Sequence, residues 1–293
     1  MPIDSTGSST PPAAAPPAGA GSQTPLRNER FATQPELAGV LAGQTSLTTG
    51  SKGPGVRAVQ QALAEMGFSV PGGADGAFGA QSAKAVRNFQ VHARPAFPAV
   101  LATGKVDAVT LRALDALAPA PGQRGQTQHL PGSRYKGTPV RVVVVKNEHR
   151  TFLFDAQGRL QSIFGNAVGT RATQTDPGLK LVTGKLNEAQ SHALGKKLWG
   201  GPVFGPRIID LSWPDGSRSG EELHGTSAPA QQGGDVSHGC VRHDNADIIV
   251  LYDALKVGDM VAIVDSINDP HLSTPPATPT ETPDLSGAVA SRK

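Results

Sequence analysis

Across residues 119–133 the apolar pattern of the chain changes period, and that change limits how it can fold. Before it, Val56, Val59, Leu63 and Met66 recur at steps of three and four, the spacing of one helix face, and Gly67 stands where that helix should stop. Ala83, Val86 and Phe89 repeat the pattern, as do Leu111, Leu114 and Leu117, with Asp107 placed as an N-cap. After it, Val140-Arg141-Val142-Val143-Val144-Val145 is β-branched and Arg150-Thr151-Phe152-Leu153-Phe154 follows Asn147-Glu148, which predicts a hairpin. Asp155-Ala156-Gln157-Gly158 turns the chain into a strand over 159–168, and 208–213 and 260–264 read as further strands. Residues 245–255 are the helical exception, with Ile248, Leu251, Tyr252 and Leu255 on one face and Asn245 or Asp244 as cap. The fold class expected is α+β and multidomain: a small three-helix module, then a mostly β, sandwich-like domain, with two small cores rather than one large one.

The 293 residues include 35 Gly and 25 Pro, so much of the length is turn and connection. Residues 1–25 and 269–293 are dominated by Pro, Ala, Gly, Ser and Thr and hold too few large apolar side chains to offset their ordering entropy. The division expected is a flexible N-terminal region 1–45, the helical module 46–118, a linker 119–137, the β domain 138–266 and a flexible tail 267–293. The longest apolar runs fall far short of the about 20 residues a helix needs to cross a bilayer, so no membrane span is expected. A net charge of +3 with scattered Lys and Arg gives no nucleic-acid footprint, whereas an anionic surface such as a cell wall suits it. Met1-Pro2-Ile3-Asp4-Ser5-Thr6 lacks the basic start and apolar stretch of a secretory signal, so non-classical export or a specialised secretion system is expected.

Cys240 is the only cysteine, in Ser237-His238-Gly239-Cys240-Val241-Arg242, sixteen positions after His224 in His224-Gly225-Thr226. A lone thiol makes no internal disulfide, and one flanked by histidines and an arginine points to reactivity. A thiol reacts as thiolate. Lowering its pKa of about 8.5 by about two units takes roughly 2.7 kcal/mol, which a histidinium from His224 or His238 could supply. Amides of the Gly239-Cys240-Val241 turn could face a developing oxyanion, giving an acyl-transfer site.

Gly53-Pro54-Gly55-Val56, Gln60-Gln61-Ala62-Leu63, Asp75-Gly76-Ala77-Phe78-Gly79, Ala85-Val86-Arg87-Asn88-Phe89-Gln90 and Gly104-Lys105-Val106-Asp107 together resemble the peptidoglycan-binding domain type 1 family over about 47–117. The resemblance implies binding of wall glycan or stem peptide. The alternative is a spacer in which Gln60, Phe89 and Gln90 only hold a core. The stretch 93–103 is longer than the family's usual connection.

His224-Gly225-Thr226, Gly233, the Ser237 to Arg242 hexapeptide, Asn245 and Asp247 match in type and spacing the L,D-transpeptidase (YkuD-like) catalytic domain. That likeness runs over about 138–265 and includes Val168-Gly169-Thr170, Thr183-Gly184-Lys185 and Gly205-Pro206-Arg207. It implies Cys240 as the nucleophile taking an acyl group from a tetrapeptide stem, with release of D-alanine, and His224 as general base oriented through the Gly225 carbonyl. His238 and Gly239 are then expected at the oxyanion region, with Ser237, Arg242, Gly225 and Thr226 on the substrate side. No metal or organic cofactor is implied, and the partners implied are peptidoglycan stem peptides and glycan at the cell envelope or periplasm. No oligomeric state follows.

His243 stands where the family usually has an aliphatic residue, Leu181-Val182-Thr183-Gly184 replaces a Thr-Pro-Thr-Gly turn, and 187–201 is a long polar segment expected to act as a substrate lid. Three functions fit: a cell-wall acyltransferase giving 3-3 crosslinks, exchange or carboxypeptidation; a leaderless antibacterial effector using the same chemistry; and a non-catalytic wall-binding protein.

Overall fold

The computed structural model describes residues 25–125 and 129–274. Five helices come first: α1 (Glu29–Ala32), α2 (Pro35–Leu41), α3 (Pro54–Glu65), α4 (Ala80–Ala93) and α5 (Ala108–Leu117). They are followed by β1 (Arg134–Tyr135), β2 (Thr138–Pro139), β3 (Val142–Val145), β4 (Arg150–Phe154), β5 (Leu160–Gly169), β6 (Gly178–Leu186), α6 (Glu188–Trp199), β7 (Ile208–Ser212), β8 (Arg218–His224), β9 (Asp235–Ser237), β10 (Val241–His243), α7 (Asn245–Ala254), β11 (Met260–Val264) and β12 (Leu272–Ser273).

The three expected helices are α3, α4 and α5. Pro54 opens α3 where its missing N–H costs nothing, and Gly67, at φ +93°, turns the chain out after it. Asp107 caps α5 by accepting the Thr110 amide at 2.8 Å. Two buried glutamines latch the intervening turns in the same way. Gln60 accepts from the Gly76 amide and donates to the Ala77 carbonyl, and Gln90 accepts from Gly104 and donates to Lys105.

The N-terminal expectation needs correction within the described residues. Residues 29–41 are not a flexible run: Phe31, Leu37 and Val40 of α1 and α2 are buried in the core of the helical unit. Their short helices carry too little pattern to stand out beside the Pro/Ala-rich stretch before them. The rest of that expected region, 1–24, lies outside the described residues, as does 275–293 of the expected tail. Just before those residues, Leu272–Ser273 pairs as β12 with β1.

The β domain is one nine-stranded sheet in the order β10-β8-β7-β6-β11-β3-β4-β5-β9. An additional pairing of β10 with β5 brings its ends together into a barrel. This is the form taken by the mostly β, sandwich-like domain that the short strands implied. One set of side chains, including Val142, Val144, Leu153, Phe164, Ile209, Leu223 and Val241, packs with Ile248, Leu251 and Leu255 of α7. The alternate set, Val143, Val145, Phe152, Phe154, Ile163 and Val264, joins the core of the helices.

Two small cores were expected and two are present, but they do not divide at the boundary between helices and strands. The helical core does not close on itself but runs on into the outer face of β3, β4, β5 and β11. The joint is also polar and backbone-bonded: the Ser69 amide donates to the Ile163 carbonyl at 3.0 Å, and Ile163 donates to Gly67 at 2.8 Å. Phe68 stacks edge-on against Phe89 at 5.8 Å inside the seam.

Candidate active site

Strand pairing assembles the site. In the parallel pair of β8 and β10, Val241 lies opposite Leu223 and Arg242 opposite His224. Leu223 and Val241 point into the barrel core. Alternation therefore puts Glu222, His224 and Arg242 on the other face, and Cys240, one step before Val241, arrives beside Glu222. The Cys240 thiol, half-buried, is pushed up to about 12, first by burial and then by the Glu222 carboxylate, with a Glu222 backbone hydrogen bond and Arg242 opposing.

His224 is buried, and its Nδ1 donates to the Gly225 carbonyl at 2.7 Å, which leaves Nε2 as the proton acceptor. Burial lowers its pKa to about 4, partly opposed by that hydrogen bond and assisted by Arg242. Phe204 holds the ring edge-on at 5.0 Å. The expected thiolate beside a histidinium is therefore not the resting state. Burial disfavours both ions, and the charges nearest the sulfur include carboxylates, so thiol and imidazole both rest neutral.

The His224-Gly225-Thr226 corner is fixed by Asn245, whose Oδ1 accepts the Thr226 amide at 2.8 Å. Gly205, at φ +65°, passes so close that a Cβ there would lie 2.4 Å from that oxygen and 2.7 Å from the Thr226 nitrogen. Ser237 is buried and holds the nucleophile turn, donating to the Cys240 carbonyl at 2.5 Å and accepting the Gly239 amide at 3.1 Å. Gly239 thus spends its N–H on Ser237, and its carbonyl accepts from Thr175 at 2.7 Å. Thr173 and Thr170 bind the Ser237 carbonyl from the same loop. Arg242 donates to Gln231 at 3.3 Å.

His238 is exposed, its ring 5.6 Å from that of Trp199. Within the polar segment 187–201, Glu188–Trp199 form α6, whose start is a capping box of Asn187 and Gln190. Ser191 ties α6 to the Gly205 carbonyl at 2.8 Å, and Leu198 and Trp199 stand out in solvent, each 58% exposed. Residue-type reasoning missed Glu222, Thr175, Phe204 and Trp199. The Asn-x-x-Gln spacing at 187–190 was the available signal for α6.

His243 faces the barrel interior and is fully buried. Its Nε2 shares a hydrogen bond with Thr151 Oγ1 at 2.8 Å, and burial lowers its pKa to about 3, with His224 assisting and the Val241 backbone opposing. The unfolded chain therefore binds a proton there below about pH 6.5 that the folded chain refuses, so acid favours unfolding. Asp247, raised to about 7 chiefly by burial, works the other way, being protonated first in the folded state. His243→Val should cost about 1 kcal/mol at pH 7, where Thr151 loses one of its two hydrogen bonds and keeps the one from Asn166. It should then gain on the parent by up to roughly 1.4 kcal/mol per pH unit below 6.5. Thermal unfolding at pH 7, 5.5 and 4 reads this directly; a gap that does not change with pH would rule it out.

Comparison with known proteins agrees with this arrangement. Residues 139–263 match the profile described as the L,D-transpeptidase catalytic domain, and 52–114 match that of a peptidoglycan binding domain. A curated protein of Bacillus licheniformis named for L,D-transpeptidase YkuD is 31% identical over 140 residues, covering 47% of this chain and 74% of that protein. The chain belongs to the L,D-transpeptidase family. Its fold is shared with a crystallised L,D-transpeptidase (residues 123–326) from Xylanimonas cellulosilytica, at 23% identity and a TM-score of 0.52, covering 74% of this chain and 96% of that one. As an L,D-transpeptidase it is an enzyme of the cysteine-nucleophile acyltransferase type, working on peptidoglycan at the cell wall or envelope. Among the described residues no helix is long and apolar enough to cross a membrane.

Proposed function

We propose that Cys240 is the nucleophile of an acyl transfer on peptidoglycan tetrapeptide stems, and that His224 is its general base. What supports this reading is the parallel β8–β10 register, in which His224 pairs with Arg242, two residues after Cys240 on the same face, and has Nδ1 occupied and Nε2 available. In the first half-reaction Sγ attacks the carbonyl of the bond to the terminal D-alanine while Nε2 takes the thiol proton. The C–N bond breaks, the proton passes to the leaving amine, and the stem is left as a thioester on Cys240.

An incoming amine then attacks the thioester, loses its proton to Nε2, and displaces the sulfur, which recovers it. An amine on a second stem gives a 3-3 crosslink, a free D-amino acid gives exchange, and water gives carboxypeptidation. Since Gly239 has given its amide to Ser237, the oxyanion falls to the amide of Cys240, which donates to no acceptor among the described residues. His238, with Trp199, forms a wall of the approach rather than a proton relay, and Arg242 supplies positive charge for a substrate carboxylate. Ser237, Gly225 and Thr226 act by holding the turn and the imidazole.

Incubation of the chain with purified tetrapeptide muropeptides, followed by mass spectrometry, tests this. D-alanine release and an acyl adduct on Cys240 are expected, and neither in Cys240→Ala; release persisting in that variant would defeat the assignment.

A further inference from the structure

An open cleft of about 620 Å³ lies beside the seam where α4 meets the catalytic strands, within the roughly 300–1,000 Å³ of small-ligand sites. The acyl-transfer steps above make no use of it. One wall is a stripe of α4 on which Lys84, Arg87, Val91 and Arg94 recur at steps of three and four. The facing wall holds Glu148 and His149 of the β3–β4 turn, the loop 229–233, and Asp244 and Asp247 at the start of α7.

The protein's own bonds leave part of this lining unsatisfied. Lys84 is paired with Asp244, and Asp247 accepts from Ser69 at 2.6 Å. Arg94, by contrast, commits only its Nε, to the Val100 carbonyl, and Arg87 bonds to none of the described residues. Asn88 is 9% exposed, yet its Oδ1 accepts no hydrogen bond from the described residues, and neither does the buried Oε1 of Gln232. Two guanidinium groups call for a carboxylate, and two amide oxygens call for N–H or ammonium donors. A simple polyanion would engage the guanidinium groups and leave the two amide oxygens without donors. A peptide with free carboxylates and amide donors meets both walls.

The cleft also touches the segments on either side of the nucleophile. Loop 229–233 precedes β9, and Gln231 within it receives the Arg242 hydrogen bond, while α7 follows β10 directly. We propose that the cleft is a second binding site, for a carboxylate-bearing stem peptide other than the one acylated on Cys240. The enzyme would then hold one stem between its two parts while it works on another. This rests on the substrate class proposed above.

Calorimetric titration of the full chain carrying Cys240→Ala tests it without catalysis. The probes are a free tripeptide stem and the same tripeptide on its disaccharide. Arg87→Glu with Arg94→Glu, both at exposed positions, should weaken binding about tenfold or more. Arg57→Glu, in a separate hollow of the helical unit, should leave it unchanged. A loss with both probes identifies the peptide itself as the occupant, and a loss with the disaccharide form alone identifies a glycan-attached stem; either supports the cleft. Unchanged affinity in the double variant, with its near-ultraviolet dichroism intact, overturns it, as does a loss in Arg57→Glu instead. Acylation of wild-type Cys240 is read separately by mass spectrometry, so its failure would strike the catalytic reading and leave the cleft standing.

Discussion

Expressed from residue 138 onward without the helices, the catalytic strands should fail to form a stable folded unit. Val143, Val145, Phe152, Phe154, Ile163 and Val264 are covered by the helical core, and each is 3% exposed or less. Burial of such a side chain is worth about 1.5–3 kcal/mol. Uncovering six of them costs on the order of 10 kcal/mol, as much as the 5–15 kcal/mol that holds a whole domain folded. Arg150 adds to the loss. It is fully buried at the seam, paired with Glu148 and bonded to His92, and its guanidinium is lowered to about 9 by burial. Without the helices that arginine and the phenylalanines beside it would form an exposed patch prone to association. The full chain should melt in a single cooperative transition, and the truncated chain should bind a hydrophobic dye and lack near-ultraviolet dichroism. Two independent transitions in the full chain, or a truncated form with native dichroism, would show the shared core to be dispensable.

The clue to that shared core was present in the sequence as Val142-Val143-Val144-Val145. A strand with one wet face alternates, whereas an unbroken apolar strand is covered on both faces. Reading the run only as a strand leaves the second cover unassigned, so the helices look like a free-standing module. The helices themselves were legible because α3, α4 and α5 have clear spacing and stops. β6 and β8 were not, since Lys180, Thr183, Gly184, Arg218 and Glu222 interrupt any alternation, and Lys180 is buried only because Glu221 meets it from another strand at 2.9 Å. For the site, Cys240 and His224 stood out as residue types in a contiguous pattern. Glu222 and Thr175 did not: one reaches the thiol through parallel pairing of β8 with β10, the other through a loop that returns to Gly239, and neither relation has a local signature.

His224→Ala should lower the rate of Cys240 acylation by about 10²–10⁴, the usual contribution of a positioned general base. The more telling result is a difference between two pH profiles. With the thiol near 12 and the imidazole near 4, the neutral pair predominates throughout the range between. Alkylation of Cys240 by iodoacetamide, which needs preformed thiolate, should therefore be slow at pH 7 and rise about tenfold per pH unit through pH 9 without levelling off. Acylation by substrate draws its proton acceptor from His224 during attack. It should stay nearly flat over the same range and fall only as acid protonates Nε2, well below the ordinary histidine value of about 6.5. Burial explains why both behaviours belong to one site: it withholds charge from the resting sulfur and leaves the imidazole unprotonated and able to receive. An alkylation rate that levels off near pH 6 to 7 would mean that a thiolate–imidazolium pair exists before substrate arrives, and the neutral-pair mechanism would have to be abandoned.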